Sequence, residues 1–220
     1  MVFIASAASL SPLRPLPVMP FHTDLYTSLG YQFSAGDITY NGHYNNDVPL
    51  KATDNTVFNR IEARIGVGFP LRGGAEVIPF LAGGYQAWNR NVNPKNAIGS
   101  DEFYHAGLAG GGVKLDLPIT PQLVASASGE FLGVIGGGIS LNGAGVNQKF
   151  GPSAEELVTL GLDYRVRGRF HIVGSAYLEN FNYSGSQPED YVIGAYLYQI
   201  NEPLSVTRQF GGNIGIAYSY

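Results

Sequence analysis

The chain has 220 residues, enough for one domain, with only 14% charged residues and a net charge of −4. Against the roughly 25% charge of an average soluble protein, this is too little to wet the whole outer wall of a soluble barrel, and Lys occurs only at 51, 95, 114 and 149. The acidic balance offers no basic stripe for nucleic acid, and the absence of Cys excludes thiolate catalysis, zinc–thiolate sites and disulfides.

At the N-terminus, Val2-Phe3-Ile4-Ala5-Ser6-Ala7-Ala8 resembles the end of a signal-peptide apolar region, with an Ala-x-Ala-like site at Ala5-Ser6-Ala7 but no positively charged start. Pro12, Pro15, Pro17 and Pro20 follow, so residues 1–23 are expected to be a signal-peptide remnant or disordered leader. Residues 24–220 are expected to be the folded body.

The first strand runs from about Asp24 to Phe33, with Leu25, Leu29, Tyr31 and Phe33 on one face and Tyr26, Ser28, Gly30 and Gln32 on the other. A long polar link, 34–55, leads to the second strand, Thr56 to Phe69. Here Val57, Asn59, Ile61, Ala63, Ile65, Val67 and Phe69 interleave with Phe58, Arg60, Glu62, Arg64, Gly66 and Gly68. Pro70-Leu71-Arg72-Gly73-Gly74 is a tight turn. The third strand, Glu76 to about Arg90, has no clear register, because Val77-Ile78-Pro79-Phe80-Leu81 is apolar on both faces and Pro79 belongs near a strand end or bulge.

After a second long link, 91–101, the fourth strand, Glu102 to Leu117, sets Val113, Leu115 and Leu117 against Lys114 and Asp116. Pro118-Ile119-Thr120-Pro121 turns into the fifth strand, 122–135, where Leu123, Ala125, Ala127 and Phe131 oppose Ser126, Ser128 and Glu130. A glycine-rich link, 136–152, precedes the sixth, 153–166, in which Val158, Leu160, Leu162, Tyr164 and Val166 alternate with Thr159, Gly161, Asp163 and Arg165. Arg167-Gly168-Arg169 turns into the seventh, 170–182, with Phe170, Ile172, Ala176 and Leu178 opposite His171, Ser175, Tyr177 and Glu179. The fourth long link, 183–204, contains a stretch at 191–200 that can extend as β-structure. The eighth strand closes the chain.

No run approaches the ~18 consecutive apolar residues of a membrane helix, so any crossing must be made by strands closed into a barrel. Eight alternating segments, short and long connections in turn, predict an all-β fold: an eight-stranded antiparallel up-and-down transmembrane β-barrel with short periplasmic turns and long extracellular loops. Tyr31, Phe33, Phe58, Trp88, Phe103 and Tyr104 fall near the loop ends, and Phe69, Tyr164, Phe170, Tyr218 and Tyr220 near the turn ends, as two interfacial girdles would require.

Two segments carry a family resemblance: Pro79-Phe80-Leu81-Ala82-Gly83-Gly84-Tyr85, and the end Asn213-Ile214-Gly215-Ile216-Ala217-Tyr218-Ser219-Tyr220. With the strand rhythm from Asp24 onward, they make the chain similar to small outer-membrane barrels, the OmpA-like transmembrane domain and the opacity-protein-like porin group. The end resembles the signal read by the barrel-assembly machinery, through Ile214, Ile216, Tyr218 and an aromatic last residue, although Tyr220 stands where Phe is usual. The resemblance implies a bacterial outer-membrane location, contact with outer-membrane lipid and lipopolysaccharide, and a role in anchoring, surface interaction or a narrow pore.

Inward charges are the candidate site: Arg60, Glu62, Arg64, Lys114, Asp116, Glu130, Asp163, Arg165 and Glu179. An eight-stranded lumen is just wide enough for side chains to fill, and buried ions must pair. A nearly neutral, plugged ion-pair network is therefore expected, with Lys114–Asp163 and Arg60–Glu179 at matching levels. The four histidines, His22, His43, His105 and His171, have no metal-ligand spacing, and no glycine cluster has phosphate-loop spacing. No cofactor or metal is expected. The reading is a non-enzymatic envelope or surface protein, with Asn89, Asn91, Asn93 and Asn96 among loop residues that could meet an extracellular ligand. The alternatives are a narrow channel for small or apolar solutes, a lipid-modifying enzyme using His105 or His171 as base, and a soluble calyx with its faces inverted.

Overall fold

The computed structural model describes residues 2–12, 24–43, 49–94, 100–141, 146–193 and 195–218. The chain is all-β, an antiparallel up-and-down sheet curled into a half-barrel. Its strands are β1 (Val2–Pro12), β2 (Asp24–His43), β3 (Pro49–Pro70), β4 (Glu76–Pro94), β5 (Ser100–Thr120), β6 (Leu123–Leu141), β7 (Val146–Lys149), β8 (Ala154–Arg167), β9 (Phe170–Tyr183), β10 (Glu189–Ile193), β11 (Tyr196–Ile200) and β12 (Ser205–Tyr218). The sheet runs β1-β2-β3-β4-β5-β6-β8-β9-β12, β7 folds back on β6, and β10–β11 is a separate hairpin. Among the described residues, no ladder joins the β12 end of this path to the β1 end. β1 lies inside the segment set apart as a leader, and pairs with β2 from Val2↔Ser34 to Pro12↔Asp24; residues 13–23 lie outside the described residues.

The short turns form where the sequence supplies them. Leu71 N donates to Ala75 O at 2.7 Å, and Gly73 and Gly74 adopt φ of 80° and 81°, a region that costs other residues a Cβ clash. Thr120 Oγ1 accepts the Gln122 and Leu123 amides at 3.2 and 3.0 Å between β5 and β6. Pro79 has no amide proton to give, and the β3–β4 ladder skips the pairs beside it, running from Gly66↔Phe80 to Phe69↔Val77.

Three of the four long links are shorter than expected, because neighbouring strands stay paired through polar residues past the expected strand ends. β2 and β3 stay paired to His43↔Pro49, β4 reaches Pro94, and β6 reaches Leu141 with β7 against it. The fourth link contains the β10–β11 hairpin, as its 191–200 stretch suggested. At Gly136-Gly137 two residues of β6 face the single Ala106 of β5, since His105 pairs Gly138 and Gly107 pairs Ile135. This bulge coincides with β6 changing partner from β8 to β7.

The faces follow the alternation. Outward side chains are apolar and open: Leu29 55%, Ile61 48%, Ile65 56%, Leu160 59%, Leu162 56% and Leu178 56% exposed. The unclear register of β4 is settled with Ile78 and Phe80 inward and Leu81 outward. Inside, two clusters pack: Tyr26, Ile78, Phe80, Ala82, Leu108 and Leu132 toward the short turns, and Tyr104, Ala106, Ile139, Phe181 and Tyr183 toward the long links.

The second cluster corrects the expected loop-side girdle. Phe58 and Tyr104 are buried inward, and the Trp88 ring lies tilted against Tyr104 at 5.6 Å and edge-on to Phe181 at 6.3 Å. Their even-numbered positions share the parity of Arg60 and Gln86, so the pleat turns them to the concave inner face of the half-barrel. Tyr31 does face outward, as do Phe69, Tyr164, Phe170 and Tyr218 at the other end; Tyr220 lies outside the described residues.

Candidate functional site

β3 carries the centre of the site, because Asp54, Arg60, Glu62 and Arg64 fall on its inward face. Curvature of the sheet brings β8 and β9 opposite. The Arg60 guanidinium donates through Nη1 to Glu179 Oε1 at 2.7 Å and to Glu155, and through Nε to Glu62 Oε2 at 3.1 Å. Arg64 Nε donates to Glu62 Oε1 at 2.6 Å, and its Nη2 faces Glu130 Oε2 at 2.6 Å. The side chains of Arg60, Glu130, Glu155 and Glu179 are all at most 6% exposed. Arg rather than Lys suits this seat, since its planar fork offers several fixed donors to more than one carboxylate.

Inside the half-barrel, charge alternates with aromatic layers. Cross-strand pairing puts Gln86 beside Arg60 and Trp88 beside Phe58 one step toward the long links, and Phe80 beside Gly66 one step beyond Arg64 toward the turns. Arg64 lies over the Phe80 ring, 5.1 Å from its centroid, and Gln86 Nε2 donates to the Tyr183 hydroxyl at 2.5 Å. Glycine makes the layer fit: a Cβ on Gly112 would run into the Gly129 carbonyl and the Phe80 ring.

A second group lies toward the long links. Arg90 Nε donates to Asp54 Oδ2 at 2.7 Å, its Nη1 is 3.3 Å from Glu102 Oε2, and its guanidinium lies 4.9 Å from the Trp88 ring centroid. The Tyr104 hydroxyl donates to Glu202 Oε1 at 2.9 Å, and burial pushes the Glu202 carboxyl above its ordinary range. A third group lies toward the turns, where Lys114 pairs with Asp116, next to Glu76.

The expected residues are therefore brought together in part. Arg60, Glu62, Arg64, Glu130 and Glu179 form one buried network, and the Arg60–Glu179 pair is present. The Lys114–Asp163 pair is not. Lys114 takes Asp116, two residues along its own strand, and Asp163 Oδ1 takes His171 Nδ1 from the neighbouring strand at 2.6 Å. Equal height above the turns placed Lys114 and Asp163 at one level, but nearer partners satisfied each. Arg165 is outside the network, exposed, with its Nη2 on the Pro121 carbonyl at 2.7 Å. At the last strand, Ile214, Ile216 and Tyr218 face outward at 86%, 83% and 53% exposure.

Near-neutrality also fails. Glu155, Asp54, Arg90, Glu102 and Glu202 were missed, and they turn the balance acidic. The signal was available: counting back by twos from Thr159 reaches Glu155, and from Arg60 reaches Asp54. Asp54 lies before the expected strand start at Thr56, whereas Glu155 lies inside the expected sixth strand, on the face of Thr159. His105 stacks on Phe103 at 5.7 Å and has no hydrogen-bond partner on Nδ1, while His171 Nε2 is likewise without one. A cavity of about 170 Å³ lies beside the central network, lined by residues including Arg60, Glu62, Thr159, Tyr177, Glu179 and Asn213. The sequence matches no family model and no curated protein.

Proposed function

We propose that this chain is a bacterial outer-membrane protein whose half-barrel closes into an eight-stranded barrel by antiparallel pairing of β12 with β2, once β1, which lies in the expected leader, gives up that edge. It acts as a non-enzymatic envelope or surface protein, similar in plan to the OmpA-like and opacity-protein-like barrels. One observation carries the reading: on β3, β6, β8 and β9 apolar side chains point outward while Arg60, Glu130, Glu155 and Glu179 are buried on the inner face. Leu160 and Leu162 are 59% and 56% exposed while Glu155 on the same strand is 1% exposed. In water this order is costly on both faces; with lipid outside and paired ions inside it is favourable.

The partners of such a protein are outer-membrane lipid and lipopolysaccharide, the barrel-assembly machinery during insertion, and an extracellular ligand at the long links. A narrow channel is the second reading, favoured by the cavity beside Arg60 and Glu179. The lipid-modifying alternative has less support: His171 has Asp163 on Nδ1 but no hydroxyl on Nε2.

The test is expression behind a bacterial signal peptide, followed by membrane fractionation and electrophoresis with and without heating. The expected result is a heat-modifiable band in the outer-membrane fraction, lost when Tyr218 to Tyr220 are deleted because both closure and the assembly signal go. A soluble, unshifted protein, or wild-type levels of barrel after that deletion, overturns the reading.

A further inference from the structure

Three tiers of charge cross the inside of the half-barrel, and among the described residues each has fewer cations than carboxylates. Toward the long links Arg90 stands with Asp54, Glu102 and Glu202. In the middle Arg60 and Arg64 stand with Glu62, Glu130, Glu155 and Glu179. Toward the turns Lys114 stands with Asp116 and Glu76. Four cations thus meet nine carboxylates, in a chain whose net charge is −4. The acidity of the whole protein is concentrated in its interior.

Hydrogen bonding points the same way, and does so independently. Among the described residues, the buried side-chain atoms without a hydrogen-bond partner are nine oxygens and two histidine ring nitrogens. They include Asp54 Oδ1, Gln86 Oε1, Glu130 Oε1, Glu155 Oε2, Glu76 Oε1 and Asp116 Oδ1. No guanidinium, ammonium, amide or hydroxyl donor is among them. The Glu155 side chain is 1% exposed and shares Arg60 Nη1 with Glu179, so one guanidinium nitrogen serves two carboxylates while Glu155 Oε2 has nothing. Lone pairs outnumber hydrogens here. Water can donate to such oxygens, but it brings acceptors of its own and no charge. A cation corrects both shortages, as does a proton taken up by one of the carboxyls, and a buried carboxylate left uncompensated costs several kcal/mol.

We infer that the lumen takes hydrated monovalent cations, with the middle tier around Glu155, Glu179 and Glu130 as the main seat, and that whatever conductance the barrel has is cation-selective. The inference rests on the closed-barrel reading above. The carboxylates stand in separate tiers, and no described group of three or more converges as a metal-ligand set. The ion therefore keeps much of its water and is chosen by charge rather than by size, as rings of acidic side chains select cations elsewhere. The cavity of about 170 Å³ at the edge of this tier, lined by Glu62 and Glu179 among others, is well above the ~10–15 Å³ that one ordered water needs, so a partly hydrated ion fits beside those two carboxylates.

The experiment uses the full chain refolded in detergent micelles and unfolded by heating. One sample is in potassium chloride and the other in N-methyl-D-glucamine chloride of equal ionic strength, whose cation is too bulky to enter. Potassium should raise the Tm by about 2–4 °C over N-methyl-D-glucamine, and Glu155→Gln should narrow that gap. Glu130→Gln, which keeps the Arg60 contacts, should narrow it too and stands in if Glu155→Gln fails to refold. In planar bilayers under a potassium chloride gradient, any current should reverse toward the potassium equilibrium potential. Equal Tm in the two salts, a gap unchanged in the variants, or reversal toward the chloride potential would overturn the inference while leaving the barrel in place. Failure to form any heat-modifiable barrel would overturn both.

Discussion

On β8 the residues that look outward are Val158, Leu160 and Leu162, each 52–59% exposed, whereas inward-looking Glu155 is 1% exposed. The same contrast holds on β3, where Ile61 and Ile65 are 48% and 56% exposed and inward-looking Arg60 is 5% exposed. A soluble sheet of this kind hides its leucines and shows its charges, because apolar burial yields about 25 cal/mol per Å² and unpaired ion burial costs several kcal/mol. Here burial falls to charge that is hydrogen-bonded, and exposure falls to hydrocarbon. This difference between the faces is what the membrane reading proposed above rests on. It also fixes where a substitution should hurt: a lost partner inside, an added charge outside.

The inner face should be the more fragile when an ion is removed. Arg60→Ala strips the shared partner from Glu62, Glu155 and Glu179, and should cost about 3–5 kcal/mol in urea unfolding of the refolded protein, the scale of a broken buried pair. A loss under about 1 kcal/mol would mean that the middle tier is wet. On the outer face, Leu162→Arg should cost ~2–4 kcal/mol near the bilayer midplane and empty the outer-membrane fraction of heat-modifiable protein. The inward Thr159→Ser, two pleats away on the same strand, should assemble like the parent. Normal assembly of Leu162→Arg would remove the contrast between the faces.

Smaller effects sharpen the inner face. Gly112→Ala drives a methyl into the Gly129 carbonyl and the Phe80 ring, and overpacking of this kind should cost about 1–3 kcal/mol in the same unfolding assay. The outward Gly129, whose added Cβ meets nothing within 4 Å, is the control: Gly129→Ala should be tolerated. Last, Lys114→Ala breaks a pair that is partly open, with side chains 26% and 17% exposed, and should cost under about 1 kcal/mol. Asp116→Asn, rather than Asp163→Asn, should restore the balance, because Asp163 belongs to His171.

Strand alternation alone specified most of the sheet. The inward or outward sense of Val57 to Phe69, Val158 to Val166 and Ile214 to Tyr218 follows from parity once any one residue is placed, since the pleat period is two and admits no drift. The tight turns at Gly73-Gly74 and Gly168 were legible for the same local reason: positive φ favours glycine. The chain by itself also determined that arginine and glutamate share the interior, and that Arg60 and Glu179 stand at one height.

What the tertiary structure decided is which charges meet and what lies between them. Lys114 chose Asp116 over Asp163, Arg60 gathered Glu155 as well as Glu179, and Phe58, Trp88 and Tyr104 left the expected girdle for an inner layer. A pair across the lumen depends on how sharply the sheet curls and how far each strand tilts, quantities that sum over many twists and are written in no single segment. Strand ends depend likewise on whether a neighbour is there to pair with, which is why polar stretches such as 34–43 and 49–55 extend the β2–β3 ladder instead of looping. Local alternation sets a side chain's face; only the curvature of the assembled sheet sets its partner.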